Sequence, residues 1–134
     1  MNYWRIGASV SGLLLLAVAG PSVCRAREII VRCDTPTPGY HIQIERVWEV
    51  DGEIWVVSRI VGQGAAIQVI GSAEGSVDVD VADDAVVKHF ISGKSWGWWR
   101  GVEATMIDSR EALEEQMEED EIEIDRMLYD REMM

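Results

Sequence analysis

Asp51-Gly52 is the dipeptide that most restricts this fold, because it separates two β-rich runs by two residues suited to positive φ. Before it, Tyr40, Ile42 and Ile44 alternate with His41, Gln43 and Glu45, the period-2 pattern of a half-buried strand. Trp48 and Val50 continue the alternation after a change of phase near Arg46-Val47, which predicts a bulge. After it, Glu53 to Val61 holds the apolar run Ile54-Trp55-Val56-Val57. A strand without alternation is buried on both faces, so this one is expected at the centre of a sheet. The hairpin Tyr40–Ile60 is therefore the predicted nucleus of the fold.

The remaining central segments also read as β. Ile29-Ile30-Val31 is a short apolar run, and Thr35-Pro36-Thr37-Pro38-Gly39 cannot be helical. Gly62-Gln63-Gly64 is a connection, after which Ile67-Gln68-Val69-Ile70 is expected to begin a further strand. Val77, Val79 and Val81 alternate with Ser76, Asp78 and Asp80, and Asp83-Asp84 turns the chain into Val86–Ile91. Short strands with frequent turns predict a mainly β fold, a small antiparallel β-sandwich or barrel.

Both ends differ from this centre. Arg5, the apolar stretch Ile6–Leu16, Pro21 and the small residues around it have the layout of a secretory signal peptide over 1–26. An uncleaved anchor is the rival, but a crossing helix needs about 20 apolar residues. Export to the periplasm or the extracellular space is the expected destination, with membrane attachment only through an uncleaved signal anchor. Cleavage after Ala19 keeps Cys24 and Cys33, which could then form a disulfide. Cleavage after Ala26 keeps Cys33 alone. Val23 before Cys24 disfavours lipidation, which needs a small residue there. At the other end, Asp108–Met134 contains no Gly or Pro and carries 12 acidic residues against Arg110, Arg126 and Arg131. Its composition predicts an amphipathic acidic helix, with Asp108 and Glu111 as a capping box. Leu113, Met117, Ile124, Met127 and Leu128 lie near one face of that helix. The expected organisation is thus a signal peptide (1–26), an antiparallel β domain (27–107) and an acidic helical tail (108–134).

Charge narrows the function. The chain has a formal net charge of −12. Loss of Arg5 and Arg25 with the signal peptide makes the mature form more negative still. No basic patch exists to neutralise phosphates, which argues against nucleic acid or an anionic membrane as partner.

Three sets of residues could carry chemistry. Asp78, Asp80, Asp83 and Asp84 offer carboxylates to a hard cation, but acid stands where a calcium loop needs glycine, and a solvated strand face explains the cluster as well. Lys94-Ser95-Trp96-Gly97-Trp98-Trp99-Arg100 sets aromatic rings among glycine and cations, so Lys94, Trp96, Trp98, Trp99 and Arg100 are a candidate surface for peptides or sugars. Alternatively Trp96 and Trp98 close one end of the fold, with Trp99 on the far side. His41 and His89 lie on predicted strands with no ligand partner at metal spacing, and no nucleophile motif accompanies Cys33. The expectation is a binding protein with a protein partner, without catalysis and without cofactor; a small extracytoplasmic enzyme is the competing class.

Pro38-Gly39-Tyr40-His41-Ile42-Gln43-Ile44, followed by Asp51-Gly52 and Glu53-Ile54-Trp55-Val56-Val57, resembles the core of the C-terminal domain of PrcB-type protease-complex stability proteins. The resemblance covers roughly residues 35–91 and departs at Val61–Ala65, where the family pattern has prolines. It implies an exported β domain that associates with a protease, and it offers no catalytic residues.

Overall fold

The computed structural model describes residues 24–94 and 96–133. Its strands are β1 (Cys24–Thr35), β2 (Tyr40–Val50), β3 (Glu53–Gly62), β4 (Gly71–Ala82), β5 (Val87–Ser92), β6 (Ala104–Met106) and β7 (Arg126–Asp130). One helix, α1 (Arg110–Glu119), precedes β7, and a short 3-10 turn (Arg131–Met133) follows it.

The hairpin forms where the sequence places it. Asp51 (φ 51°) and Gly52 (φ 81°) both adopt positive φ, the backbone that matches the twist of paired strands. β2 pairs antiparallel with β3, and the register shifts between Ile44 and Arg46, so Glu45 is the extra residue of the predicted bulge. In the five-stranded sheet the order is β6-β5-β3-β2-β7, which puts β3 at the centre. β1 and β4 form a separate antiparallel ribbon.

Three layers result. Ile29, Val31 and Cys33 of β1 and Ala73, Val79 and Val81 of β4 pack with Ile42, Ile44, Val47, Ile54, Val56 and Ile91 of the sheet. The opposite sheet face presents Trp48, Val50, Trp55, Val57 and Phe90, covered by Leu113 and Met117 of α1. Neighbouring residues of β3 enter different layers, the physical reason its sequence is continuously apolar.

Several expectations are corrected. The fold is mainly β, but it is not a closed barrel, and its sheet is mixed: β5 runs parallel to both β3 and β6. The turn at Asp83-Asp84 forms as expected and carries the chain out of the ribbon into the other sheet. Ile67, Val69 and Ile70 lie in an exposed connection, and the next strand begins only at Gly71. The acidic tail is not one helix: α1 ends at Glu119 and Arg126–Asp130 pairs with β2. Pairing with an open sheet edge outweighs the helical propensity of Arg126, Met127 and Leu128. The cap is Ser109, whose hydroxyl accepts from the Ala112 N–H at 3.0 Å, in place of Asp108.

β7 is held by charge as well as by pairing. The buried Arg46 guanidinium lies 3.0 Å from the Asp130 carboxylate and 3.3 Å from that of Glu132. Arg126 donates to Glu49 at 3.1 Å.

The expected signal segment lies outside the described residues except at its end. There Cys24, Arg25 and Ala26 already pair with Ala82, Val81 and Asp80 of β4. Arg25 also holds Asp83. Cleavage after Ala26 therefore removes the start of β1, whereas cleavage after Ala19 leaves it whole. A Cys24–Cys33 disulfide is excluded by the strand they share. At about 3.3 Å per residue they stand roughly 30 Å apart, against the ~7 Å that a disulfide can span.

Candidate binding surface

The tryptophan segment owes its position to the parallel pairing of β5 with β6. Parallel neighbours need a crossover, and Gly93–Glu103 provides it. The crossover is fastened to β1: the Asp34 N–H donates to the Arg100 carbonyl at 2.6 Å, and the Val102 N–H donates to the Arg32 carbonyl at 3.0 Å. Gly101 bridges Cys33 there, where any side chain would run into the Arg32 carbonyl. Within the segment, Trp96 stacks edge-on against Tyr40 with centroids 5.2 Å apart. Trp99 donates its indole N–H to the Val102 carbonyl at 2.7 Å. Both pack on the ribbon-side core. Trp98 is the ring left outside, 40% exposed. This differs from the alternative in which Trp96 and Trp98 close one end of the fold with Trp99 on the far side: Trp99 is inward and Trp98 outward.

The cations of the segment also separate. Lys94 is exposed, and the Arg100 guanidinium lies 3.4 Å from the Asp34 carboxylate. Ser95 lies outside the described residues. Trp98 and Trp99 with Gly97 share a shallow hollow of about 310 Å³ with Met106 of β6. Met106 is itself 42% exposed.

Met106 also borders a second surface, absent from the sequence reading. Between β6 and α1 opens a hollow of about 420 Å³ lined by Trp55, Phe90, Ile107, Leu113, Met117 and Ile122 among others. A neighbouring hollow of about 710 Å³ shares Trp55, Phe90, Thr105 and Ile122 with it. The two form one furrow. Its floor is the ring pair Trp55–Phe90, with centroids 4.7 Å apart. Trp55 donates its indole N–H to Glu53 at 3.2 Å, and Lys88 lies 3.2 Å from the same carboxylate. Together these hold the Glu53 carboxyl below the usual carboxylate range. The furrow draws on residues far apart in the chain. The only trace of it in the sequence is an apolar stripe on α1 too narrow to cover a five-stranded sheet.

The groups considered for chemistry do not converge. Asp83 is engaged by Arg25, whose hydrogen bonds hold its carboxyl low. Asp78 and Asp80 project outward from β4. Among the described residues no three His, Cys, Asp or Glu side chains stand close enough together to hold a metal ion. Cys33 is fully buried, and desolvation, aided by Asp34, pushes its thiol up to about 11. Such a thiol is a poor nucleophile. Burial lowers the His89 pKa, and its Nδ1 is enclosed without a hydrogen-bond partner. His41 is exposed on β2.

Among the described residues no helix is long and apolar enough to cross a membrane. Comparison with protein-family models, with curated proteins and with solved structures finds no match to this chain.

Proposed function

We propose that this chain is an exported, non-catalytic β domain that mediates protein–protein interaction in the cell envelope. Its contact face runs from Trp98 across Met106 into the furrow beside α1. The observation that carries this reading is the exposed pair Trp98 and Met106 around one hollow. Aromatic and methionine side chains are enriched at protein contacts. The layout of residues 1–26 supports export. Association with a protease is the partner class that the resemblance over residues 35–91 brings.

The test is capture from an envelope extract with the wild-type protein and with the Trp98→Ala/Met106→Ser variant. Loss of one reproducible partner with the variant supports the reading; equal capture by both defeats it. Reproducible turnover by pure protein, abolished by Cys33→Ala or His89→Ala, would replace it with an enzyme. The second reading is carbohydrate or peptide binding by the segment 94–100, favoured by the one ring that faces solvent. Quenching of tryptophan fluorescence by cell-wall glycans, lost in Trp98→Ala, is its signature.

A further inference from the structure

We infer that the furrow between α1 and the β5–β6 edge takes an extended, cationic and partly apolar segment of the partner protein. This rests on the binding role proposed above and gives it a ligand chemistry. Shape comes first. The two hollows over Trp55 and Phe90 are continuous, and a third of about 560 Å³ extends them past Met117 and Ile122 to Ile124. Ile122 lines all three and is only half-buried. An elongated trough with an apolar floor suits a chain segment rather than a compact small molecule.

Charge comes second. Glu103, Asp108, Glu118, Asp120 and Glu121 stand along the walls. Lys88 is the one basic side chain lining the three hollows among the described residues, and it is engaged by Glu53. Arg110, the first residue of α1, has its guanidinium shared among Glu111, Glu114 and Glu132. A cationic occupant gains from this field, while nucleic acid, an anionic lipid surface and a second copy of this acidic chain are repelled.

The sheet edge supplies the conformation. β6 pairs with β5 only over His89–Ile91, so Val87 and Lys88 extend beyond the start of β6 along the wall of the furrow. A backbone laid there in extended form continues the sheet by strand addition. Alternate side chains then face the Trp55–Phe90 floor, and the others face the carboxylates.

The test uses three fluorescent peptides of about eight residues, alternating Lys/Val, Lys/Ser and Glu/Val, with the purified protein. The Lys/Val peptide should bind, with amide shifts concentrated at 86–90, 103–108 and 112–122. Lys/Ser should bind roughly tenfold or more weakly, and Glu/Val should not bind. Asp108→Lys/Asp120→Lys and, at unchanged charge, Ile122→Ser should each weaken Lys/Val binding about tenfold, with circular dichroism confirming the fold. Glu28→Lys/Asp78→Lys on the outer ribbon face should leave binding unchanged. Equal binding of Lys/Val and Lys/Ser, shifts centred on the ribbon, or no binding overturns the inference. In the envelope capture, loss of the partner with Trp98→Ala but retention with Ile122→Ser rejects the furrow and leaves the broader reading standing.

Discussion

The two faces of the five-stranded sheet are closed to different degrees. On one face an antiparallel ribbon of two twelve-residue strands covers an aliphatic layer end to end. On the other, a ten-residue helix contributes two buried side chains to an aromatic layer. A helix covers a strip about 10 Å wide, whereas five strands at about 4.8 Å spacing need roughly twice that. The aromatic layer is therefore left open beside α1. The comparison teaches that one sheet can serve as the closed core of a fold on one face and as the floor of an open furrow on the other.

The comparison is tested most severely by truncation in each layer. Ile54→Ala on the ribbon side should cost about 3–4 kcal/mol in urea unfolding, within the range for well-enclosed aliphatic residues. Leu113→Ala under α1 should cost about 2 kcal/mol, because the open side lets neighbours and water relax into the gap. Equal losses would mean that the helical face is closed as tightly as the other.

A smaller effect comes from the ion pair behind β7. Asp130→Ala should destabilise by about 2 kcal/mol, because it leaves the buried Arg46 with the exposed Glu132 as its one remaining counter-ion. Arg46→Met should cost less, since it removes the buried charge itself. The reverse order in thermal unfolding would show the pair to be stabilising in its own right.

The helix alone is probed by Ser109→Ala, which removes the cap and should cost about 1 kcal/mol. If the furrow is bounded by α1, the same substitution should raise amide exchange in 110–119 and leave the ribbon protected. Faster exchange in β1 or β4 would argue that the two faces are not independent.

The smallest effects are those of pH, and they separate by side. His89, in the furrow wall, has its pKa lowered by burial. The unfolded chain then binds the extra proton first, so stability is present above about pH 6.5 and declines as pH falls below it. His89→Gln should flatten that decline in melts from pH 7.5 to pH 5. Cys33, on the ribbon side, has its thiol raised to about 11. Its contribution is complete below the ordinary thiol range and is lost as pH rises through about 9 toward 11. Cys33 of the native protein should react with a thiol reagent at pH 8 only on unfolding, and rapid labelling at Cys33 in the folded protein, located by peptide mapping, would contradict that burial.

Features coded by neighbouring residues were legible in the sequence. The Asp51-Gly52 turn, the bulge at Glu45 and the central place of β3 all follow from short-range patterns. The fate of Arg126–Asp130 did not, because its helix-forming residues become a strand only when Arg46 to Glu49 stand beside them. Ile67, Val69 and Ile70 have strand composition without a partner edge to complete it. In the crossover, Gly97 and Gly101 break any periodicity. Which tryptophans turn inward is then decided by Tyr40, more than fifty positions away, and by the carbonyl of Val102, a backbone group that no side-chain pattern reveals. The furrow combines residues 55, 90, 105 and 122, and so no local reading could assemble it.

The β2–β7 pairing also governs the order of events in folding. Glu49 and Arg126 meet across 77 positions of chain, and β1 reaches Asp83 across 58. Contacts at such separation must overcome a large loop-closure entropy before they stabilise anything, which slows folding. Until β7 arrives, the β2 edge is open and Arg46 has no counter-ion from Asp130, so the half-made sheet is neither neutral internally nor closed. The hairpin can form early, while the intact structure waits for Arg126–Asp130 to emerge.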